Sequence, residues 1–395
     1  MNNKLYILLI TLLSLNCSKK SDGGNPPSLP AVSVDDIKLL EGNSGYTNAI
    51  FTIKLDKPTD KTVTVTCNTI DKWAVHDQDF VPLTNKQISL QPGETQVQLI
   101  VQIVGDDIKE GDEPFVLSLS NATNAMFNRE QAVCTILNDD TKVPFTEAGY
   151  TTPLSYPGYT LAWSDECNDG KLNTTIWSYE NGDGCPGICG WGNNEQEYYK
   201  PDNLFFQDGK MIIEARNDGY SGKPYTSTKI LTRDKKLIKF ARIDIRAKLP
   251  VGKGIWPAFW LLPQSNVYGS WPKSGEIDMM EALGHETNKV YGTAHYGPGP
   301  GSTQIGRNYV IPNGSYNDSF HVYSLIWKQD QIQWLVDDKL YSTVNKSDVG
   351  SNTYPFNEDF FFIINMAVGG NWPGNPDAST YFPQWLIVDY VRVFQ

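Results

Sequence analysis

Short runs in which apolar and polar residues alternate, separated by turn residues, recur along most of this 395-residue chain, and helical periodicity is almost absent. Ala49-Ile50-Phe51-Thr52-Ile53-Lys54-Leu55, Thr62-Val63-Thr64-Val65-Thr66-Cys67 and the run from Thr95 to Val104 are representative. A period of two sends successive side chains to opposite faces of a strand, so each run needs a second sheet against which to bury its apolar face. The expected fold class is therefore all-β. Two blocks carry the pattern. Residues 33–140 read as an antiparallel β-sandwich, and residues 145–395 as a larger two-sheet sandwich or jelly roll with its site on a concave face. Thr141-Lys142-Val143-Pro144-Phe145 reads as the linker between them.

The first 32 residues have a different character. Lys4 precedes an apolar run from Leu5 to Leu13, too short to span a bilayer but the length of a signal-peptide core. Cys17 follows Leu13-Ser14-Leu15-Asn16 and precedes a polar stretch, an arrangement similar to a bacterial lipoprotein signal in which Cys17 becomes the lipidated first residue. Residues 1–17 are thus expected to be a signal peptide and 18–32, rich in Gly, Pro, Ser and Asn, a flexible tether. The protein is expected to be exported, as a cell-envelope lipoprotein or in secreted form, touching membrane only through that anchor.

Acidic residues outnumber basic ones, 45 to 33, for a net charge of -12, which argues against nucleic acid and favours a neutral partner. Ten of the 11 Trp follow residue 160, concentrating flat apolar surface of the kind that binds sugar rings in the later block. Of the six cysteines, Cys185 and Cys189 flank a Pro-Gly turn, and in an oxidising compartment a short-loop disulfide is the economical reading. Zinc is the weaker alternative, because no second ligand pair lies at metal spacing.

Ser274-Gly275-Glu276-Ile277-Asp278-Met279-Met280-Glu281 sets three carboxylates in a run that otherwise reads as buried strand. Like charges so close imply raised pKa values and a reaction that needs acid and base side by side, as glycoside hydrolysis does. On a regular strand Glu276 and Asp278 share a face while Glu281 points away. A β-bulge at Met279-Met280 adds one residue, corrects the parity and brings all three into one cleft.

This stretch resembles the active-site motif of glycoside hydrolase family 16, in the bulged form seen in laminarinases. The resemblance extends through Trp163-Ser164-Asp165-Glu166, Gly190-Trp191-Gly192-Asn193-Asn194-Glu195, Gly254-Ile255-Trp256-Pro257-Ala258-Phe259-Trp260, Ala294-His295-Tyr296, Gly369-Gly370-Asn371-Trp372 and Asp389-Tyr390-Val391-Arg392. It implies a jelly roll that hydrolyses β-1,3-glucan with retention, Glu276 as nucleophile, Glu281 as acid/base and Asp278 between them. Retention requires the two Glu carboxyls about 5 to 5.5 Å apart. The resemblance places Asn194, Arg242, Trp271, His295 and Trp372 along the cleft, with Trp256 and Trp260 either there or in the core. It also implies a structural calcium on the convex side, held by Glu166 and Gly209 mainly through backbone oxygen and by the Asp389 side chain, with Asp389 capping a strand pair as the alternative. Departures include Cys167 for a usual Phe, Phe240-Ala241-Arg242 for Tyr-Gly-Arg, and Ser227-Thr228-Lys229 for Ser-Ala-Arg, the last able to alter a substrate contact.

Residues 33–140 resemble a Calx-β domain through Leu40-Glu41-Gly42, Asp79-Phe80, the Gly105–Glu113 turn and Asn138-Asp139-Asp140. That implies loops able to gather Glu41, Asp79, Asp106, Asp107, Asp139 and Asp140 around calcium, with solvated acidic loops and no ion as the alternative. The domain is expected to act as a spacer, and the protein as a monomer. Mixed-linkage glucan, or a galactan such as agar or carrageenan, is the alternative substrate; a non-catalytic glucan-binding protein or a calcium-dependent adhesion module is the alternative outside the enzyme class.

Overall fold

The computed structural model describes residues 28–299 and 303–395; the signal peptide, Cys17 and most of the tether lie outside them. Within the described residues the regular structure is strand, with three short 3-10 turns, Cys189–Gly192, Pro201–Asn203 and Lys346–Val349. No described helix is long and apolar enough to cross a membrane.

The N-terminal block is a β-sandwich. One sheet orders Gln96–Gly105, Gly45–Leu55, Ala31–Val34 and Met126–Arg129; the other orders Ile37–Leu40, Gln131–Leu137, Glu113–Thr123, Val63–Ile70 and Lys86–Leu90. Alternation decides the filling: Ala49, Phe51 and Ile53 of one strand are fully buried while Ile50 is exposed. Phe80 stacks on Phe115 at 4.3 Å in this core. By backbone proximity the segments Leu40–Thr47 and Val104–Glu113 group with the C-terminal unit, which runs on from Ile136 to Gln395.

The C-terminal unit consists chiefly of two eight-stranded sheets. The cleft sheet runs Ser178–Tyr179, Lys229–Leu231, Phe360–Val368, Ile255–Pro263, Glu276–Glu281, Lys289–His295 and Gln304–Val310, with Leu237–Ile238 also paired to Phe360–Val368. The outer sheet runs Leu204–Gln207, Lys210–Ala215, Gln384–Phe394, Arg242–Lys248, His321–Lys328, Gln331–Val336 and Lys339–Asn345, with Leu161–Asp165 also on Gln384–Phe394. Between them lies one continuous core, in which Phe259, Ile277 and Ile364 of the cleft sheet and Ile243, Leu325 and Val391 of the outer sheet are fully buried. Phe360–Val368 is buried along its whole length, on both faces, so the floor of the cleft is built on a strand packed from both sides.

Candidate active site

Glu276–Glu281 lies inside the cleft sheet, paired on both sides. Toward Ile255–Pro263, Asp278 opposes Trp260 and Met280 opposes Phe259, so Met279 is the extra residue; toward Lys289–His295, Asp278 opposes Thr293 and Glu281 opposes Tyr291. The expected bulge is there. It lets two successive side chains, Met279 and Met280, turn into the core at 2% and 0% exposure, and Glu276, Asp278 and Glu281 all line the cleft. Unbranched, flexible methionines suit a kinked site where a β-branched residue would be held to one rotamer.

Each carboxylate has its own partner. The indole N–H of Trp271 donates to Glu276 Oε2 at 2.8 Å, and that of Trp256 to Glu281 Oε1 at 3.1 Å. His295 Nε2 lies 2.9 Å from Asp278 Oδ2 and 3.8 Å from Glu276 Oε1. From the core side, Trp334 donates its N–H to the Asp278 carbonyl at 2.8 Å, pinning the strand at the bulge. Glu276 keeps 16% of its side chain exposed against 4% for Asp278, so of this pair the glutamate is the one a substrate reaches.

Burial raises all three acids. Burial and then the Asp278 charge push Glu276 up to about 8, burial pushes Asp278 up to about 7, and burial with the charges of Asp278 and Glu276 holds Glu281 well above the ordinary carboxylate range. His295 and the Trp271 N–H work against the rise at Glu276, as His295 and the Trp256 N–H do at Glu281. Three acids this close do not all ionise. The Glu276–Asp278 pair gives up a proton first, and Glu281 keeps its own.

The cleft has a volume of about 1290 Å³. Trp256, Trp260, Trp271, His295 and Trp372 line it, so the residues left between cleft and core, Trp256 and Trp260, face the cleft. Trp372 packs edge-on to Trp256 at 5.5 Å and Tyr291 at 4.9 Å. Two expected binding residues are elsewhere. Asn194 is not among the lining residues; its side chain donates to Asn371 Oδ1 at 2.8 Å, and its neighbour Asn193 faces the cleft instead. Arg242 belongs to the outer sheet, where Ile243, Ile245 and Ala247 take the core face and Arg242, Asp244 and Arg246 the opposite one. There it donates to Asp244 at 2.9 Å and Asp338 at 2.5 Å, and lies 3.8 Å over the Tyr156 ring. Conversely, Glu180, Trp191, Lys229 and Asn365 also line the cleft, and of these the sequence marks only Lys229, as a replacement for arginine. The 180–191 wall is tied by the disulfide Cys185–Cys189.

Of the donors implied for calcium, only Asp389 would use its side chain, and that carboxylate has cations beside it. Asp389 is engaged by Lys210 Nζ at 3.0 Å and Arg246 Nη1 at 2.6 Å, and Glu166 accepts two hydrogen bonds from Arg392, at 2.9 and 2.7 Å. A divalent ion on the Asp389 carboxylate would compete there with Lys210 and Arg246, whereas the Arg392 pair involves the Glu166 carboxylate and leaves its backbone oxygen aside. Among the acidic loop residues, Asp79 accepts from the Val75 amide, Asp106 from the Ile108 amide, Asp139 from the Gly42 amide and Asp140 from the Asn43 side chain, while Asp107 pairs with Lys142. Glu41 is buried, and its carbonyl accepts from Thr47. Glu276, Asp278 and His295 present ligand-type atoms within 4.8 Å of one another, but all three sit at the carboxylate centre described above.

Comparison with known proteins agrees with this geometry. The model of glycosyl hydrolases family 16 matches residues 192–386, and that of the Calx-beta domain residues 33–140. A glucan endo-1,3-beta-glucosidase A1 of Niallia circulans is 42% identical over 269 residues, 62% of this chain and 39% of that protein. A beta-glucanase of Rhodothermus marinus is 40% identical over 257 residues, 60% of this chain and 86% of that one. The crystal structure of the laminarinase catalytic domain of Thermotoga maritima MSB8 matches at 44% identity and a TM-score of 0.58, covering 60% of this chain and 98% of that domain.

Proposed function

This chain belongs to glycoside hydrolase family 16, and from that membership we propose that it is a retaining endo-hydrolase of β-1,3-glucan of laminarin type. One observation carries the reading: the bulge at Met279 that brings Glu276, Asp278 and Glu281 into a single tryptophan-lined cleft. In the first step Glu281 delivers its proton to the glycosidic oxygen while Glu276 attacks the anomeric carbon, the bond to the leaving sugar breaks, and a glycosyl-enzyme ester forms. Glu276 must be ionised to attack, so the reactive form of the Glu276–Asp278 pair is the one in which their shared proton rests on Asp278; His295 lies beside both carboxyls, 2.9 Å from Asp278 and 3.8 Å from Glu276. In the second step Glu281, now a carboxylate, takes a proton from water, whose oxygen attacks the same carbon and releases Glu276. Two inversions give retention.

Incubation with laminarin, lichenan, agarose and carrageenan, with oligosaccharide products identified, tests the substrate. Release of internal fragments from laminarin is expected, and cleavage of agarose or carrageenan alone would overturn the assignment. The first-formed anomer, followed by NMR, should be β; α would rule out retention. The intact carboxylate trio argues against a purely glucan-binding role. The same reading includes export with a lipid on Cys17, supported by the sequence of residues 1–32. Labelled palmitate should enter the protein and fail to enter Cys17→Ser; no incorporation in either would remove the anchor.

A further inference from the structure

Trp260 stands on the strand beside the catalytic one, directly opposite Asp278, and faces the cleft. Its indole N–H donates to Asn365 Oδ1 at 2.7 Å; Asn365 Nδ2 donates to the Tyr199 hydroxyl at 2.9 Å; and that hydroxyl lies 3.4 Å from Glu195 Oε2, whose other oxygen accepts from Asn193 at 3.1 Å. Asn365 is 7% exposed and Tyr199 1%, so the relay is a buried one that runs along the cleft lining from Trp260 to Asn193. Asn365 sits on Phe360–Val368, the strand buried over its whole length. Next to Asn365 in register is Lys229, whose ammonium lies 5.3 Å over the Trp260 ring and 4.0 Å over that of Trp191, and pairs with Glu180 at 2.7 Å. Trp260 is therefore held at its edge by a hydrogen bond and over its ring by a cation.

We propose that Asn365 and Tyr199 are positioning residues that fix the plane of Trp260 as a sugar-stacking platform. They act through Trp260 on substrate affinity and leave the bond-breaking steps to Glu276 and Glu281. This inference rests on the glucanase reading above. The physical reason is preorganisation: an indole locked before the sugar arrives pays no ordering cost on binding, whereas one whose N–H has lost its acceptor samples other rotamers. The amide of Asn365 is suited to the task because it accepts from the indole and donates to the phenol at once, which neither Asp nor Leu does.

The test is a double-mutant cycle. Asn365→Leu should raise KM for laminarihexaose about three- to tenfold, the worth of one buried hydrogen bond, with kcat within about twofold. Tyr199→Phe, which keeps the ring and removes only the second link, should raise KM by about twofold and covers the case in which Asn365→Leu fails to fold. In a Trp260→Phe background neither substitution should change KM further, because the group they position is gone. The same KM increase with and without Trp260, or a fall in kcat at constant KM, would overturn the proposal. Calorimetric binding of laminarihexaose to Glu276→Gln variants reads the same cycle without turnover. If the Glu276→Gln parent binds the hexaose but its affinity does not depend on Asn365 through Trp260, this inference alone falls; if the parent binds no β-1,3-glucan and the wild type does not cleave one, the glucanase reading falls and takes it along.

Discussion

Both sheets of the C-terminal unit bury acids, and they treat them in opposite ways. On the outer sheet they are met by cations: Asp244 by Arg242, Glu214 by Arg216, and the less deeply buried Asp389 by Arg246 and Lys210. On the cleft sheet Glu276, Asp278 and Glu281 face one another, with His295 and the indole N–H groups of Trp271 and Trp256 beside them and, among the described residues, no Lys or Arg ion pair to any of the three. A paired buried acid stays ionised and holds strands together, whereas acids set against each other retain protons and can exchange them with a substrate. Burial is common to both; the counter-charge separates structural acids from reactive ones.

The comparison is most exposed to failure where the expected effect is largest. Glu276→Gln and Glu281→Gln should each lower kcat on laminarin by about 10³-fold or more while circular dichroism shows the fold intact. Activity within tenfold of wild type in either would break the distinction at its reactive end. Asp244→Ala should do the reverse, since it leaves the buried Arg242 with Asp338 as its one remaining carboxylate partner among the described residues and takes an acceptor from Ser324 and Tyr156. A loss of about 1.5–3 kcal/mol in urea unfolding is expected, with kcat of the folded protein close to wild type.

A smaller effect should appear in the pH dependence of stability. In the unfolded chain the cleft carboxyls ionise near about 4, whereas in the fold Asp278 and Glu276 hold protons up to about 7 and about 8. Between those limits the folded state binds more protons than the unfolded one, so stability falls as pH rises through that window. Glu276→Gln should flatten the fall, melting with wild type near pH 4 and above it near pH 8. A difference that grows toward acid would reverse the sign and contradict the raised values.

The smallest effect concerns the convex side. Lys210 Nζ lies 3.0 Å from Asp389 Oδ1, and if it stands in for a metal there, excess EDTA should leave the melting temperature of the wild type unchanged. Lys210→Met, which strips a cation from Asp389 and Glu147, should lower it by a few degrees, and calcium should restore part of that loss. A clear drop with EDTA in the wild type would show that an ion displaces the ammonium.

Much of this was legible beforehand because it depends on parity. The period-two runs predict an all-β fold, and the odd step from Glu276 to Glu281 predicts a bulge, since strand geometry leaves no other way to put both on one face. Lys229 was legible as a departure, without its place between two indoles. Arg242 was not legible: alternation assigns it a face of its own strand, but which sheet that strand joins depends on its pairing with His321–Lys328 and Gln384–Phe394, far away in sequence. The same holds for Asn365, an amide in an apolar run whose use appears only when Trp260 and Tyr199 are brought to it from more than 100 residues away. Sequence alone determined the face on which each strand residue lies and the chemistry of the catalytic trio, because both are local. Tertiary structure decided which buried acids met cations and which met each other, because counter-charges come from distant strands and only packing selects them.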